Sequence, residues 1–287
     1  MKMLLIACLA FTTEISGAAD SLDTWLYHRG ASRMDIITAC VFGDGAFVAA
    51  TASSHFTHLS SNGSDWVVRQ GPSQAINCAA YGKGTYILAG TTGRAVASTN
   101  LTDWAIQRVD SRYAWHGATY LNGRFLLVGS GATVATATNI DFTCDASGTQ
   151  NCSWTVISFG ATTNNDDDLG GVAFGNGVYV AAGGGISMTS PDAEVWTKHD
   201  SITTNYLFDV AFGNGLFVAV GRTILTSPDR ISWTDRNLGD GSLYYRIAYA
   251  HGVFVAVGNG LISTSTDGIT WRRRRTQVNE ILLGIAY

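Results

Sequence analysis

The feature that most constrains this chain is a phrase it repeats: Val41-Phe42-Gly43-Asp44-Gly45-Ala46-Phe47-Val48-Ala49, and later Ala211-Phe212-Gly213-Asn214-Gly215-Leu216-Phe217-Val218-Ala219-Val220-Gly221. It is written six times and begun a seventh, and the copies lead into segments of the form Ser-x-Asp/Asn-x-x-x-Trp. Trp25, Trp66, Trp104, Trp154, Trp196, Trp233 and Trp271 mark the period, which at roughly 40 residues is one supersecondary unit. Only Trp115 falls off this grid.

Inside one period, Ile247-Ala248-Tyr249 reads as a first strand, His251-Gly252 as a tight turn and Val253-Phe254-Val255-Ala256-Val257 as a second strand. Leu261 to Ser265 makes a third strand, Asp267-Gly268 a turn and Thr270 to Arg273 a fourth. β-Branched and aromatic runs broken by Gly with Asn or Asp are hairpin chemistry, because those residues accept positive φ. The 33 glycines would interrupt any amphipathic helix. The expected fold is therefore all-β: a β-propeller of four-stranded antiparallel blades. Charged residues at 14% and hydrophobic residues at 46% fit blades that bury both faces.

Six complete blades are expected from about Asp35 to about Asn279. Asp23-Thr24-Trp25-Leu26-Tyr27-His28-Arg29 matches a fourth strand, and Ile281 to Tyr287 matches a first strand. Together they predict a partial seventh blade shared between the termini, which protects sheet edges. Its second and third strands are lacking, so the expectation is a C-terminally truncated sequence, with a reduced two-strand closure as the alternative.

The turns Ser190 to Trp196, Ser227 to Trp233 and Ser265 to Trp271 resemble the Asp-box, or BNR repeat, of sialidase-like propellers. Asp192, Asp229 and Asp267 hold the acidic position, with Asn62 (before Trp66) and Asn100 (before Trp104) in two further copies. The short side chain binds backbone donors within the turn while the Trp packs on the blade, so these residues are assigned a structural role. The resemblance covers nearly the whole mature chain and implies the fold more than an activity. It is closest to bacterial, non-catalytic members.

Lys2, the apolar run Met3 to Phe11 and the small residues Ser16-Gly17-Ala18-Ala19 read as a secretory signal over residues 1–18, leaving a propeller domain at 19–287. A lipoprotein signal ending at Cys8 is the rival reading. A secreted or periplasmic location follows in the first case, and no stretch reaches transmembrane length. Cys144 and Cys152 flank an insertion in the third repeat and predict a disulfide there, which export permits. Cys40 and Cys78 fall in consecutive first strands and read as buried thiols.

Propeller ligands usually sit at the channel mouth, on loops entering the first strands. The candidates there are Trp115, His116, Tyr206, Asp209, Tyr244, Tyr245 and Arg246. Aromatic faces stack on a sugar or peptide while polar groups orient it; the bland alternative is that Trp115, Phe208 and Tyr244 fill interblade core. Asp166, Asp167 and Asp168 offer oxygen ligands for calcium, or form a solvated loop. A net charge of −4 disfavours nucleic acid. A sialidase-type site would need an Arg-Ile-Pro-like segment that is lacking, and Glu14, Glu194 and Glu280 are the whole glutamate complement. An Asp168/Asp209 pair keeps glycoside hydrolysis open as the alternative. The expectation is an exported, non-catalytic propeller, without a resident cofactor, that binds a carbohydrate or a protein.

Overall fold

The computed structural model describes residues 36–52, 55–144, 152–160, 167–199, 202–236, 239, 241–274 and 281–286, together with a strand at 5–8. Six four-stranded antiparallel sheets, each with its strands in sequence order, form the blades of a β-propeller, and no α-helix occurs among the described residues. The innermost strands are Ile37–Gly43, Ile76–Gly82, Trp115–Leu121, Gly171–Gly175, Leu207–Gly213 and Tyr244–Ala250. Each packs beside the inner strand of the next blade.

Leu282–Ala286 stands in the seventh position, packed between the inner strands of blades six and one, and completes the ring around the axis. Its hydrogen-bonded neighbour is Leu5–Cys8, in parallel. That strand falls within the stretch read above as a leader. The expected fourth strand at Asp23–Arg29 lies outside the described residues.

Every first hairpin turns on two residues of positive φ: Asp44-Gly45, Lys83-Gly84, Asn122-Gly123, Asn176-Gly177, Asn214-Gly215 and His251-Gly252. Such pairs match the right-handed twist of the strands they join. The aromatic residue just before the turn packs on the ring at the start of the second strand. Centroids lie 4.5 Å apart for Phe42–Phe47 and Tyr81–Tyr86, 4.8 Å for Tyr120–Phe125 and 4.6 Å for Tyr249–Phe254.

The glycine of the Phe-Gly phrase serves the next blade. A Cβ on Gly43 would lie 2.1 Å from the Tyr81 ring, one on Gly82 2.1 Å from Tyr120, and one on Gly175 2.1 Å from Phe212. In these blades the inner-strand aromatic thus sits on the backbone of the blade before it. Gly213 receives Tyr249 in the same way.

The Ser-x-Asp/Asn turns are closed by their own side chains. Asp229 Oδ1 accepts from the Ile231 and Ser232 N–H groups at 3.0 and 2.7 Å, and Asp267 Oδ1 from Ile269 and Thr270 at 2.8 and 2.7 Å. Asn62 Oδ1 and Asn100 Oδ1 do the same work. In those two copies the amide also donates to a carboxylate three residues on, Asp65 or Asp103, at 2.8 Å, so the negative charge has moved within the turn and has not been lost. Where the fourth position is Gly63 or Gly268, the tryptophan Nε1 donates to its carbonyl.

The backbone donors hold the Asp229 carboxyl well below the usual carboxylate range and the Asp267 carboxyl at about 2. A depressed folded value means a contribution that is complete above pH 3.8 and lost as the pH falls towards about 2. The double variant Asp229→Asn/Asp267→Asn keeps the acceptor oxygens, as Asn62 and Asn100 do. Without the ionised carboxylates its melting temperature should lie below wild type at pH 7 and fall less between pH 4 and pH 2, so that the two proteins converge in acid, measured by circular dichroism.

Gly213→Ala drives a Cβ to 2.3 Å from Tyr249. Overpacking of this kind costs about 1–3 kcal/mol, and thermal denaturation should show a melting temperature lower by roughly 2–10 °C.

Candidate functional site

Strand order alone separates two faces. The first-hairpin turns lie at one end of every blade, joined there by the Ser-x-Asp/Asn turns of five blades, and the starts of the inner strands lie at the other. The entrance to the axial channel is built from those strand starts. Five of the six blades carry a bulge there: pairing with the second strand skips Thr38, Asn77, His116, Phe208 and Tyr245. A bulge sets two residues against one and re-aims the side chain. All five skipped residues are partly exposed, each four positions before the phrase aromatic.

At four of the five bulges the residue immediately before turns the other way, into the blade. Ile76, Trp115, Leu207 and Tyr244 are each 2% exposed or less. Trp115 and Tyr244, expected as stacking platforms, are therefore core: Trp115 packs with Tyr113, Phe125 and Leu127, and Tyr244 shares a hydrogen bond with Ser263 at 2.8 Å. His116, Tyr206, Tyr245 and Arg246 do gather at the entrance, whereas Asp209 is held lower, in the wall. Tyr206 stacks on Phe208 at 4.9 Å between centroids, and Phe208 on Tyr245 at 5.2 Å, giving a half-exposed row of three rings.

Polar residues hold the opposite side. The Thr38 hydroxyl donates to the Ile76 carbonyl and Asn77 Nδ2 to the Trp115 carbonyl at 3.2 Å, each reaching from one blade to the next. His116 Nε2 lies 3.6 Å from Asp168 Oδ2. Thr38 and Asn77 were not singled out by sequence reasoning, and Phe208 was named only as a possible filler of interblade core. Counting four residues back from each phrase aromatic would have found them.

Below the entrance lies a cavity of about 310 Å³, lined by all seven inner strands. At the level one residue past the bulge the blades contribute Ala39, Cys78, Gly117, Gly171, Asp209, Arg246 and Gly284. Arg246 reaches across the axis from this level. Its Nη1 donates to the Tyr245 carbonyl at 2.9 Å, while Nη2 donates to Asn77 and His116 carbonyls at 3.4 and 3.3 Å.

Asp209 is held in the wall beside it: Oδ1 accepts from Val210 N–H at 2.9 Å and Oδ2 from Ile247 N–H at 3.1 Å. Burial pushes this carboxyl up to about 6, against the opposing pull of Arg246 and the two N–H groups. Burial likewise pushes the Cys78 thiol up to about 12, so it is neutral and inert. Cys40 is half-buried in the same wall.

Asp167 and Asp168 are engaged by protein groups: Asp167 Oδ1 accepts from Lys198 Nζ at 3.0 Å, and Asp168 Oδ1 from Gly131 N–H at 3.1 Å. Asp166, the third residue of that run, lies outside the described residues, as does Glu280. Among the described residues no group of three metal-ligating side chains converges. Cys144 and Cys152 are joined in a disulfide with Cα atoms 5.5 Å apart.

No family model and no curated protein matches the chain. Solved structures do. A streptogramin B lyase superposes with a TM-score of 0.70 at 10% identity, covering 88% of this chain and 87% of that one. A catalytically inactive virginiamycin B lyase from Staphylococcus aureus, with quinupristin, gives 0.67 at 10% identity over 84% of each chain. YCF48 bound to a D1 peptide gives 0.59 at 16% identity, over 83% of this chain and 80% of that one. At these identities the likeness establishes a shared propeller fold, and function must come from the site.

Placement of the bulge makes neighbouring residues respond differently. Trp115→Ala should cost about 3–5 kcal/mol through lost burial and a cavity, lowering the melting temperature by roughly 10 °C. His116→Ala, one residue on, should shift it by no more than about 2 °C. Thermal denaturation of the two variants side by side checks the assignment.

Proposed function

We propose that this protein is an exported, non-catalytic binding propeller that takes a carbohydrate or a segment of a protein at its channel mouth. The observation that carries the reading is the row of half-exposed rings Tyr206, Phe208 and Tyr245, with Arg246 next to Tyr245 and with His116 and Asn77 on the opposite side of the mouth. Ring faces next to hydrogen-bonding groups suit a ligand with one apolar side and a polar edge. The neighbours described with quinupristin and with a D1 peptide lend support for a ligand-binding role of the fold.

Export is supported by the sequence at residues 1–18 and by the Cys144–Cys152 disulfide, a bond favoured in oxidising compartments. No helix among the described residues is long and apolar enough to cross a membrane. The Ser-x-Asp/Asn turns, read as Asp-boxes, serve the frame at the far face. A glycoside hydrolase would require two carboxyls free to exchange protons with substrate. Both oxygens of Asp209 are occupied by backbone donors, and Asp168 is spent on Gly131 and His116.

Glycan and peptide arrays probed with the purified protein test the reading. Hits should lose at least tenfold in affinity in Tyr206→Ala/Tyr245→Ala, with a melting temperature within about 3 °C of wild type. Silence on both arrays, or hits that the double variant binds as well as wild type, would refute the placement.

A further inference from the structure

We infer that the channel contains a seat for a single carboxylate group of the ligand, formed by the Arg246 guanidinium and reached past His116 and Asn77. The inference rests on the channel mouth being the binding face, and it adds the chemical class of the group that enters.

The first ground is the state of the guanidinium. It has five N–H donors, of which three are used among the described residues, and all three go to uncharged carbonyl oxygens. Two of those bonds, at 3.3 and 3.4 Å, are long for a charge-assisted bond, which runs at about 2.7–2.9 Å. No described carboxylate lies within 4.0 Å of it. A cation in a channel wall without a contacting anion is the arrangement that an incoming carboxylate improves most, because the fork accepts both oxygens at once.

The second ground is the neighbouring acid. Asp209 is the nearest formal counter-charge in the wall, yet its oxygens are turned to Val210 and Ile247. Gly171 fixes it there, since a Cβ at that position would meet Asp209 Oδ1 at 1.9 Å. The pair is thus built apart.

The third ground is space. Arg246 lines a cavity whose wall is shared by all seven inner strands, with Ala39, Gly117, Gly171 and Gly284 among the lining residues. The cavity of about 310 Å³ is at the lower end of the range for ligand pockets, about 300–1,000 Å³, and admits a group of monosaccharide or single-residue size. Asn77 and His116 line the way in, with amide and imidazole groups suited to the remaining polar atoms.

Two sources carry this chemistry, an acidic sugar and a free peptide terminus, and two matched pairs of probes distinguish them. Calorimetric titration of the intact protein should compare galacturonate with galactose, and the acid of acetyl-trialanine with its amide. The acid of at least one pair should bind tenfold or more tighter than its neutral partner, and Arg246→Gln should abolish that difference. The pair that discriminates names the source. Equal affinity within both pairs, or a preference that survives unchanged in a folded Arg246→Gln, overturns the seat. Should Arg246→Gln fail to fold, the wild-type comparison decides alone, with Arg246→Lys as the charge-retaining check that keeps a weakened preference. Array hits that depend on Tyr206 and Tyr245 but ignore both the carboxylate and Arg246 would sink this inference and leave the binding reading standing.

Discussion

The seating of an inner-strand aromatic on the glycine of the preceding blade, made at four seams, is the contact on which the rest of the structure depends. The ring lies where a Cβ would be, so the distance between neighbouring blades is set by an aromatic thickness against bare backbone. Repeated round the axis, that spacing fixes the channel, and the channel fixes what can enter. The phrase Phe-Gly or Tyr-Gly is consequently one unit with two addresses: its aromatic serves the blade before, and its glycine serves the blade after. Blade three departs with Leu121, which packs with Phe174 in the adjoining cluster. At the last seam Phe42 has no such seat among the described residues and is 38% exposed.

The far-face turns solve a separate problem. A turn between third and fourth strands needs its N–H groups satisfied, and a carboxylate or amide oxygen two residues after the serine meets them locally. The repetition therefore reflects a task that five of the six blades meet in the same way. Leu101, Ala193 and Arg230 hold positive φ at the position where other copies have glycine, which shows that the hydrogen bonds of the turn outweigh the backbone cost of a left-handed residue. Nothing in this chemistry reaches the channel.

Strand order, blade number and the positive-φ hairpin pairs were legible in the sequence, because each rests on local chemistry repeated six times. The mouth was legible only in part. His116, Tyr206, Tyr245 and Arg246 do stand at the entrance, whereas Trp115 and Tyr244 do not. The reason is the bulge, which puts adjacent residues on different sides of one strand. Composition cannot tell a rim aromatic from a core one when they are neighbours. The register could have: Ile76, Leu169 and Leu207 occupy the position of Trp115 in their own repeats, and a row of large apolar residues marks a core. Arg246 showed its charge in the sequence but not its path, since its carbonyl partners lie in blades two and three.

The bulge also explains why the mouth can be so unlike from blade to blade. Thr38, Asn77, His116, Phe208 and Tyr245 each project from a residue that the ladder has already skipped, so their identity costs the sheet no pairing. Thr38 and Asn77 do bind across blade seams, but through side chains added to a frame already fixed by the aromatic seats. The Arg246 bonds to the Asn77 and His116 carbonyls have the same status. They cross the channel and are no part of any blade ladder. Exchanging them for bonds to a ligand leaves the ring-on-glycine seams untouched, so the site can change partners while the propeller stays closed.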